Sequence, residues 1–456
     1  MIKPGFDYVA AQWGVWRAGG VVLPLPIRDP VAELIYQIDD SSTSILVVDT
    51  EYYETLNPIA KAREIRLEVI SDLQNANQGR MPQIREARRA MMVYTSGTTS
   101  RPKGVVTTHT NIRAQINSLV KAWKWTNKDH ILHTLPLHHV HGIINALACA
   151  LWVGATCEIL PKFDQDQTYH HLASGDITLY MAVPTVYKSL IRAWREYPLE
   201  KRIRISKAIS NLRLMISGSD KLEQKTLEEW YEISNHVLLE RYGMTEIGMA
   251  LSNPLKGDRI PGTVGAPLPT VEVRVVESDQ EIPLGEDKPD HDKIFTESLR
   301  GELQVRGPSV FKEYWRKPEM TTRAFTEDGW FSTGDIVEQN LGIYRILGRA
   351  SQDFMISGGE NINLREVETI ISSHPDIETC SVVGVPDEYW GKAVSAALVP
   401  EAGKTLDTNE LINWCKDKIS PHKVPKNILV LDSLPRTSVG KVIKPEVVKL
   451  FLVKET

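Results

Sequence analysis

The chain has 456 residues, too many for one compact core, and this length suggests two or three domains with enough material to enclose a cleft. Hydrophobic residues at 42% and charged residues at 24% are ordinary globular values and exclude a fibrous or disordered chain. With 53 Lys plus Arg against 58 Asp plus Glu the formal charge is -5, so no general basic field attracts nucleic acid and any polyanion must be held locally.

In chain order, Phe6, Val9, Ala10, Trp13 and Trp16 fall at helical spacing, and Gly19-Gly20 then precede a strand over 21–25. Strands follow at 44–48, 91–94 and 131–135, then an apolar helix from Gly142 onward, strands at 179–183 and 212–216, and a helix over 185–194 between those two. Strand and helix taking turns imply a layered α/β sheet. After Pro267 the pattern shifts to shorter strands, 271–277 and 301–306, around a polar loop, which reads as a small β subdomain. From Gly348 a compact α+β unit is predicted, with helices near 365–371 and 411–419 and strands at 380–385, 394–399 and 428–431. The expected domains are therefore 1–347 and 348–456. The longest apolar stretch, 146–153, is far short of the roughly 20 residues that span a bilayer, and the N-terminus lacks a signal-peptide pattern. Cys149, Cys157, Cys380 and Cys415 have no C-x-x-C spacing and read as incidental thiols of a reducing compartment. The expectation is a soluble intracellular protein without membrane insertion, cytoplasm and an organelle lumen such as the mitochondrion being indistinguishable.

The string Thr95-Ser96-Gly97-Thr98-Thr99-Ser100-Arg101-Pro102-Lys103-Gly104 follows a short apolar strand. Hydroxyls and backbone N–H groups in such a loop can surround phosphate oxygens while Lys103 adds a point charge. It is not a Walker A loop, because Gly104 follows the lysine. A generic Thr/Ser/Gly loop would be a polar surface turn, and the full string argues against that.

This string closely resembles the phosphate loop of the adenylate-forming enzymes, which include acyl-CoA synthetases, luciferases and adenylation domains of peptide synthetases. Further motifs follow in that family's order: Arg241-Tyr242-Gly243-Met244-Thr245-Glu246, Ser332-Thr333-Gly334-Asp335, Gly348-Arg349 and Pro435-Arg436-Thr437-Ser438-Val439-Gly440-Lys441. The resemblance implies a large layered α/β domain with a small β subdomain, followed by a mobile α+β domain. It also implies that the large domain here lacks its upstream part.

By the same resemblance Thr95, Ser96, Gly97, Thr98, Thr99 and Lys103 hold the phosphates of ATP, Tyr242 lies against the adenine, and Thr245 contacts the α-phosphate. Glu246 helps to hold Mg²⁺, Asp335 accepts from the ribose hydroxyls, and Arg349 approaches ribose or phosphate. Lys441 bridges the substrate carboxylate and the phosphate as the adenylation lysine, while Lys444 nearby reads as a solvated loop residue. Gly358-Gly359 accompanies the pantetheine of coenzyme A once the small domain has rotated. Adenylation is an in-line attack of a carboxylate on the α-phosphorus, so it needs phosphate charge neutralised and a hard cation held by oxygen.

Three close histidines, His138, His139 and His141, first suggest a metal, but no Cys, Asp or Glu completes a tetrahedral set at local spacing. In the family this segment borders the acyl pocket, so His141 is expected to meet a substrate carboxylate. An arginine before Tyr242 would have no partner on a fatty acid, whereas a dicarboxylate would use it. His141, Ser217 and Arg241 together resemble the acid site of malonyl-CoA synthetases, with pairing of Arg241 to an internal acid such as Glu240 as the alternative. The activity this resemblance implies is ATP-dependent ligation of a short dicarboxylate, with malonate as the expected acid, to coenzyme A through an acyl-adenylate. A nucleotide-binding relative without turnover, or an adenylation domain that acylates a carrier protein, are the rivals. Two features depart from the family pattern: Ser100 stands where glycine is usual, and 351–357 lacks a lysine seen in many relatives.

Overall fold

The computed structural model describes residues 1–27, 29–73, 79–95, 102–277, 298–357, 360–387, 389–416, 418–437 and 440–453. Ser96, Gly97, Thr98, Thr99, Ser100, Gly358 and Gly359 therefore lie outside the described residues. By contact the chain divides into two compact units, one of 1–261, 267–272 and 305–331, the other of 262–266, 273–304 and 332–456.

The first unit is built on a sheet whose central strands run Leu239–Met244, Leu214–Ser217, Leu179–Ala182, His130–His133 and Thr156–Ile159, all parallel, with Gly248–Ser252 antiparallel beside Leu239–Met244. Leu179–Ala182 and Leu214–Ser217 are buried at every position, so these strands are continuous apolar runs rather than alternating ones, as in a parallel sheet covered on both faces. Helices Pro184–Glu196, Leu199–Ile209 and Gln224–Ser234 supply one cover. Pro184 opens its helix where the missing N–H costs nothing, and Tyr187, Leu190 and Ile191 then fall on one face and join Trp230 in the core. Fully burying each aliphatic side chain there is worth about 1.5–3 kcal/mol. A second, antiparallel sheet joins Arg89–Thr95, Lys103–Thr108 and Glu313–Tyr314.

Two predictions about this unit change. Residues 21–25 do not form a strand; among the described residues they make one parallel bridge, Val22 to Met91. The helix Phe6–Arg17 splits its apolar stripe: Phe6 is 83% and Trp13 47% exposed, while Trp16 lies on the face of the buried Tyr8 and Gln12, where its indole donates to the Ala90 carbonyl at 2.8 Å. The apolar segment after Val140 is helical but begins as a π-helix, His141–Ala148, and continues as an α-helix, Cys149–Val153. The first turn is held by His133 Nε2, 3.0 Å from the Gly142 carbonyl oxygen.

In the second unit a four-stranded sheet orders Glu272–Val276, Leu299–Arg306, Phe331–Asn340 and Ile343–Arg349. A separate sheet pairs Gly391–Pro400 with Ile377–Asp387 on one side and Asn427–Val430 on the other. Its side chains alternate: Val382, Val394 and Leu398 pack on helices Leu364–Ser372 and Thr408–Lys416, while Val383, Val385 and Val399 pack on the C-terminal helix Lys444–Val453. Cys149, Cys380 and Cys415 are buried, and burial pushes the Cys157 thiol up to about 12. No described helix is long and apolar enough to cross a membrane.

A Cβ on Gly142 would lie 2.4 Å from the Pro136 carbonyl oxygen. Gly142→Ala is therefore expected to lower stability by about 1–3 kcal/mol, as overpacking does, read from the shift of the urea unfolding midpoint.

Candidate active site

Thr95 and Lys103 are paired where the antiparallel strands Arg89–Thr95 and Lys103–Thr108 meet. The Lys103 ammonium lies 4.6 Å from the centre of the Tyr314 ring, and the Tyr314 hydroxyl donates to Glu246 Oε1 at 3.0 Å. One side chain thus brings Lys103 and the buried carboxylate of the Tyr242–Glu246 segment together. Tyr314 was not legible as a site residue, because Glu313–Tyr314 is a two-residue strand that joins Lys103–Thr108 only through long-range pairing. Thr245 is half-buried and, with Gln115, Val140, Ile144, Asn145 and Gly248, lines a narrow cleft that opens to solvent.

The acid-binding candidates converge at the C-terminal ends of parallel strands, where ligands bind in α/β sheets. Arg241 is 4% exposed, and among the described residues its Nε has no hydrogen-bond partner and no carboxylate forms a salt bridge with it. Burial pulls its guanidinium down to about 9. Glu240, the internal acid considered above, precedes it in the same strand, and successive strand side chains point to opposite faces. Arg241 Nη2 donates to Ser219 Oγ at 3.3 Å, and Ser219 Oγ lies 3.2 Å from His141 Nδ1. With its oxygen accepting from Arg241, the Ser219 hydroxyl can still donate its proton to Nδ1, the arrangement that leaves the His141 proton on Nε2. That Nε2 is buried and has no described partner. Burial first, and then the charge of Arg241, hold His141 well below its usual value, so it is neutral at pH 7.

Backbone geometry supports this cluster. Ser219 takes a φ of 73°, which a non-glycine residue adopts at a cost, and the turn aims its hydroxyl between Arg241 and His141. A Cβ on Gly218 would lie 2.5 Å from Arg241 Cζ, so the guanidinium rests on bare backbone. Ser217 itself is fully buried, with its hydroxyl unpartnered among the described residues. Ser219 rather than Ser217 makes the contacts, a distinction that the Ser-Gly-Ser string could not carry. Asn145 is 0% exposed with both amide atoms unpartnered, and it too was missed, since one Asn in an apolar run gives no signal.

In the second unit Asp335 and Arg349 face each other across an antiparallel pair. Arg349 Nε donates to Asp335 Oδ1 at 2.8 Å and Nη2 to Oδ2 at 3.2 Å. Lys441 is exposed on a tight turn in which Thr437 N donates to the Lys441 carbonyl at 2.8 Å and Gly440 N to the Thr437 carbonyl at 2.9 Å. Lys444 is not solvated: its side chain is 18% exposed and its ammonium donates to Asp353 Oδ1 at 2.6 Å.

Residues 1–315 match the AMP-binding enzyme family, and 366–441 match the AMP-binding enzyme C-terminal domain. The chain belongs to the AMP-binding enzymes. This AMP-binding enzyme is 44% identical over 464 residues to the mitochondrial malonate–CoA ligase of Bos taurus, covering 97% of this chain and 79% of that one. Its fold is similar to the ATP-bound MatB of Rhodopseudomonas palustris, with a TM-score of 0.87 and 33% identity over 99% of this chain and 87% of that one. It is also similar to a malonyl-CoA ligase in a ternary complex with methylmalonyl-CoA and AMP, at a TM-score of 0.67 and 31% identity over 95% and 90% of the two chains.

Among the described residues of this AMP-binding enzyme no three His, Cys, Asp or Glu side chains could hold a metal ion. A cation at Glu246 would take one protein carboxylate and complete its shell with phosphate and water, which is how Mg²⁺ is bound with nucleotides. The residue fits, since Oε1 accepts from Tyr314 and Oε2 is left for the cation.

Two outcomes follow for the AMP-binding enzyme. Tyr314→Phe removes a donor to an ionised group, worth about 1.5–3 kcal/mol, and is expected to raise the KM for MgATP roughly 10-fold or more in steady-state assays. The second concerns pH. Burial holds His109, His133, His138, His141 and His236 below 6.5, His138 at about 4. Below about pH 6.5 the unfolded chain binds these protons and the folded chain resists them, so stability is full above that pH and declines as pH falls. Urea midpoints at pH 7.5, 6 and 5 should decrease in that order.

Proposed function

We propose that the chain ligates malonate to coenzyme A in two steps, with ATP and Mg²⁺, through malonyl-adenylate. The carrying observation is the buried Arg241 with an unpartnered Nε and no described carboxylate, linked through Ser219 to an unpartnered His141 Nε2. A neutral or monocarboxylic tail would leave both donors unmet. A second carboxylate would accept from both with its two oxygens. The likeness to malonate–CoA ligases at 44% identity supports the same substrate.

In the first step one malonate oxygen attacks the α-phosphorus, the P–O bond to pyrophosphate breaks, and pyrophosphate leaves. Thr95, Ser96, Gly97, Thr98, Thr99 and Lys103 bind the phosphates, Thr245 donates to the α-phosphate, and Lys441 bridges the attacking carboxylate and the phosphate. Glu246 would hold Mg²⁺, which would supply positive charge to the phosphate oxygens. Tyr242 covers the adenine, and Asp335, oriented by Arg349, accepts from the ribose. In the second step the coenzyme A thiolate attacks the acyl carbon and AMP leaves, with Gly358-Gly359 beside the pantetheine. In the proposed division of labour the acid and phosphates are bound by 1–347 and Lys441 is supplied by 348–456. The chain acts in a soluble intracellular compartment.

Malonate-dependent ATP–pyrophosphate exchange is the primary test: its absence from folded protein with every short dicarboxylate sinks the proposal. Arg241→Ala is expected to lower kcat/KM for malonate by more than about 100-fold, since it leaves the distal carboxylate buried without its cation, a loss of roughly 3–5 kcal/mol. Unchanged preference for malonate over acetate would make Arg241 structural. Lys441→Ala should lower exchange by about 10²- to 10³-fold, the effect of removing one preorganised donor, while thioester formation from supplied malonyl-adenylate persists.

A further inference from the structure

We propose that Lys444 is a positioning residue for adenylation: through the buried carboxylate of Asp353 it ties the loop that carries Lys441 to the Gly348-Arg349 turn. The inference rests on reading Lys441 as the adenylation lysine. Lys444 opens the C-terminal helix, immediately after the turn that presents Lys441. Its ammonium donates to Asp353 Oδ1 at 2.6 Å and lies 3.5 Å from Glu368 Oε2. The other oxygen, Asp353 Oδ2, accepts from the Arg349 backbone N–H at 2.8 Å, and the Arg349 side chain reaches on to Asp335. One 6%-exposed carboxylate thus spends its two oxygens on two segments that both bear proposed nucleotide-handling groups.

The approach is built in. A Cβ on Gly348 would lie 2.8 Å from Asp353 Cβ, so only glycine admits the carboxylate to the turn. Burial pulls Lys444 down, but the Glu368 and Asp353 carboxylates outweigh it and hold it above its ordinary value. Burial pushes Asp353 up, and the charges of Lys444 and Arg365 with the Arg349 N–H bring it below the usual carboxylate range. Both partners are charged at any working pH. A buried ion pair adds little net stability over apolar residues of the same volume, whereas its geometry sets register, which here is the placement of the Lys441 turn relative to Arg349.

The test compares Lys444→Met, Lys444→Arg and Lys441→Ala in the full chain. It measures malonate-dependent ATP–pyrophosphate exchange, thioester formation from supplied malonyl-adenylate and coenzyme A, and amide hydrogen exchange over 436–443. Lys444→Met is expected to lower the kcat of pyrophosphate exchange by about 10- to 100-fold, the cost of misplacing a reacting group, with the malonate KM and the thioester rate within about two-fold of wild type. Amide exchange over 436–443 should accelerate, and Lys444→Arg should restore all three readings. Equal loss in both half-reactions, or undiminished pyrophosphate exchange, overturns the proposal. Should Lys441→Ala retain pyrophosphate exchange, the reading of Lys441 fails instead, and unaltered amide exchange in Lys444→Met would still overturn the brace. Asp353→Asn, which keeps shape and removes charge, is expected to give the same signature if Lys444→Met does not fold.

Discussion

Arg241, a guanidinium buried without a carboxylate among the described residues, is the constraint around which its end of the larger unit is arranged. Leaving Arg241 so is costly, and burial alone pulls it down to about 9, so its surroundings must repay that cost when the site fills. Gly218 gives it room, Ser219 takes up a left-handed backbone to meet it, and the charge of Arg241 adds to burial in keeping His141 neutral. Each of these features is unfavourable by itself. Together they leave Arg241 Nε and His141 Nε2 without partners among the described residues, and strained or unpaired groups are a recognised mark of functional sites.

The parallel sheet makes the convergence possible. Ser217 ends one strand, Arg241 belongs to its parallel neighbour, and the π-helix bearing His141 follows a third strand of the same sheet, so residues distant in sequence meet at one edge. Long π-helices are uncommon and frequent at functional sites. This one is pinned at its start by the His133 contact to the Gly142 carbonyl and by the close approach of Gly142 to Pro136. The same segment carries Asn145 into the wall of the cleft with Thr245.

Much of this was legible along the chain. The alternation of strands and helices, the short strand before the 95–104 string, and the order of motifs all follow from local patterns, because turns, apolar runs and glycines act over a few residues. Arg241 and His141 were legible as well, through the resemblance their segments carry. Tyr314, Ser219 and the burial of Lys444 were not. Tyr314 matters because a two-residue strand pairs with the hairpin and sets its ring between Lys103 and Glu246. Lys444 looked like a surface lysine because nothing in 441–446 announces Asp353, which comes from the other end of the unit.

The sequence by itself determined the kind of chemistry: which residue types stand in the phosphate loop, that a carboxylate follows Tyr242-Gly243-Met244-Thr245, and that an arginine precedes them. Only the tertiary structure decided how those groups are poised. Whether an arginine is solvated or buried, whether a serine donates to one partner or another, and which face of the helix Phe6–Arg17 turns inward all depend on desolvation and on contacts between distant segments. Those are properties of the packed chain, and no short stretch of it carries them.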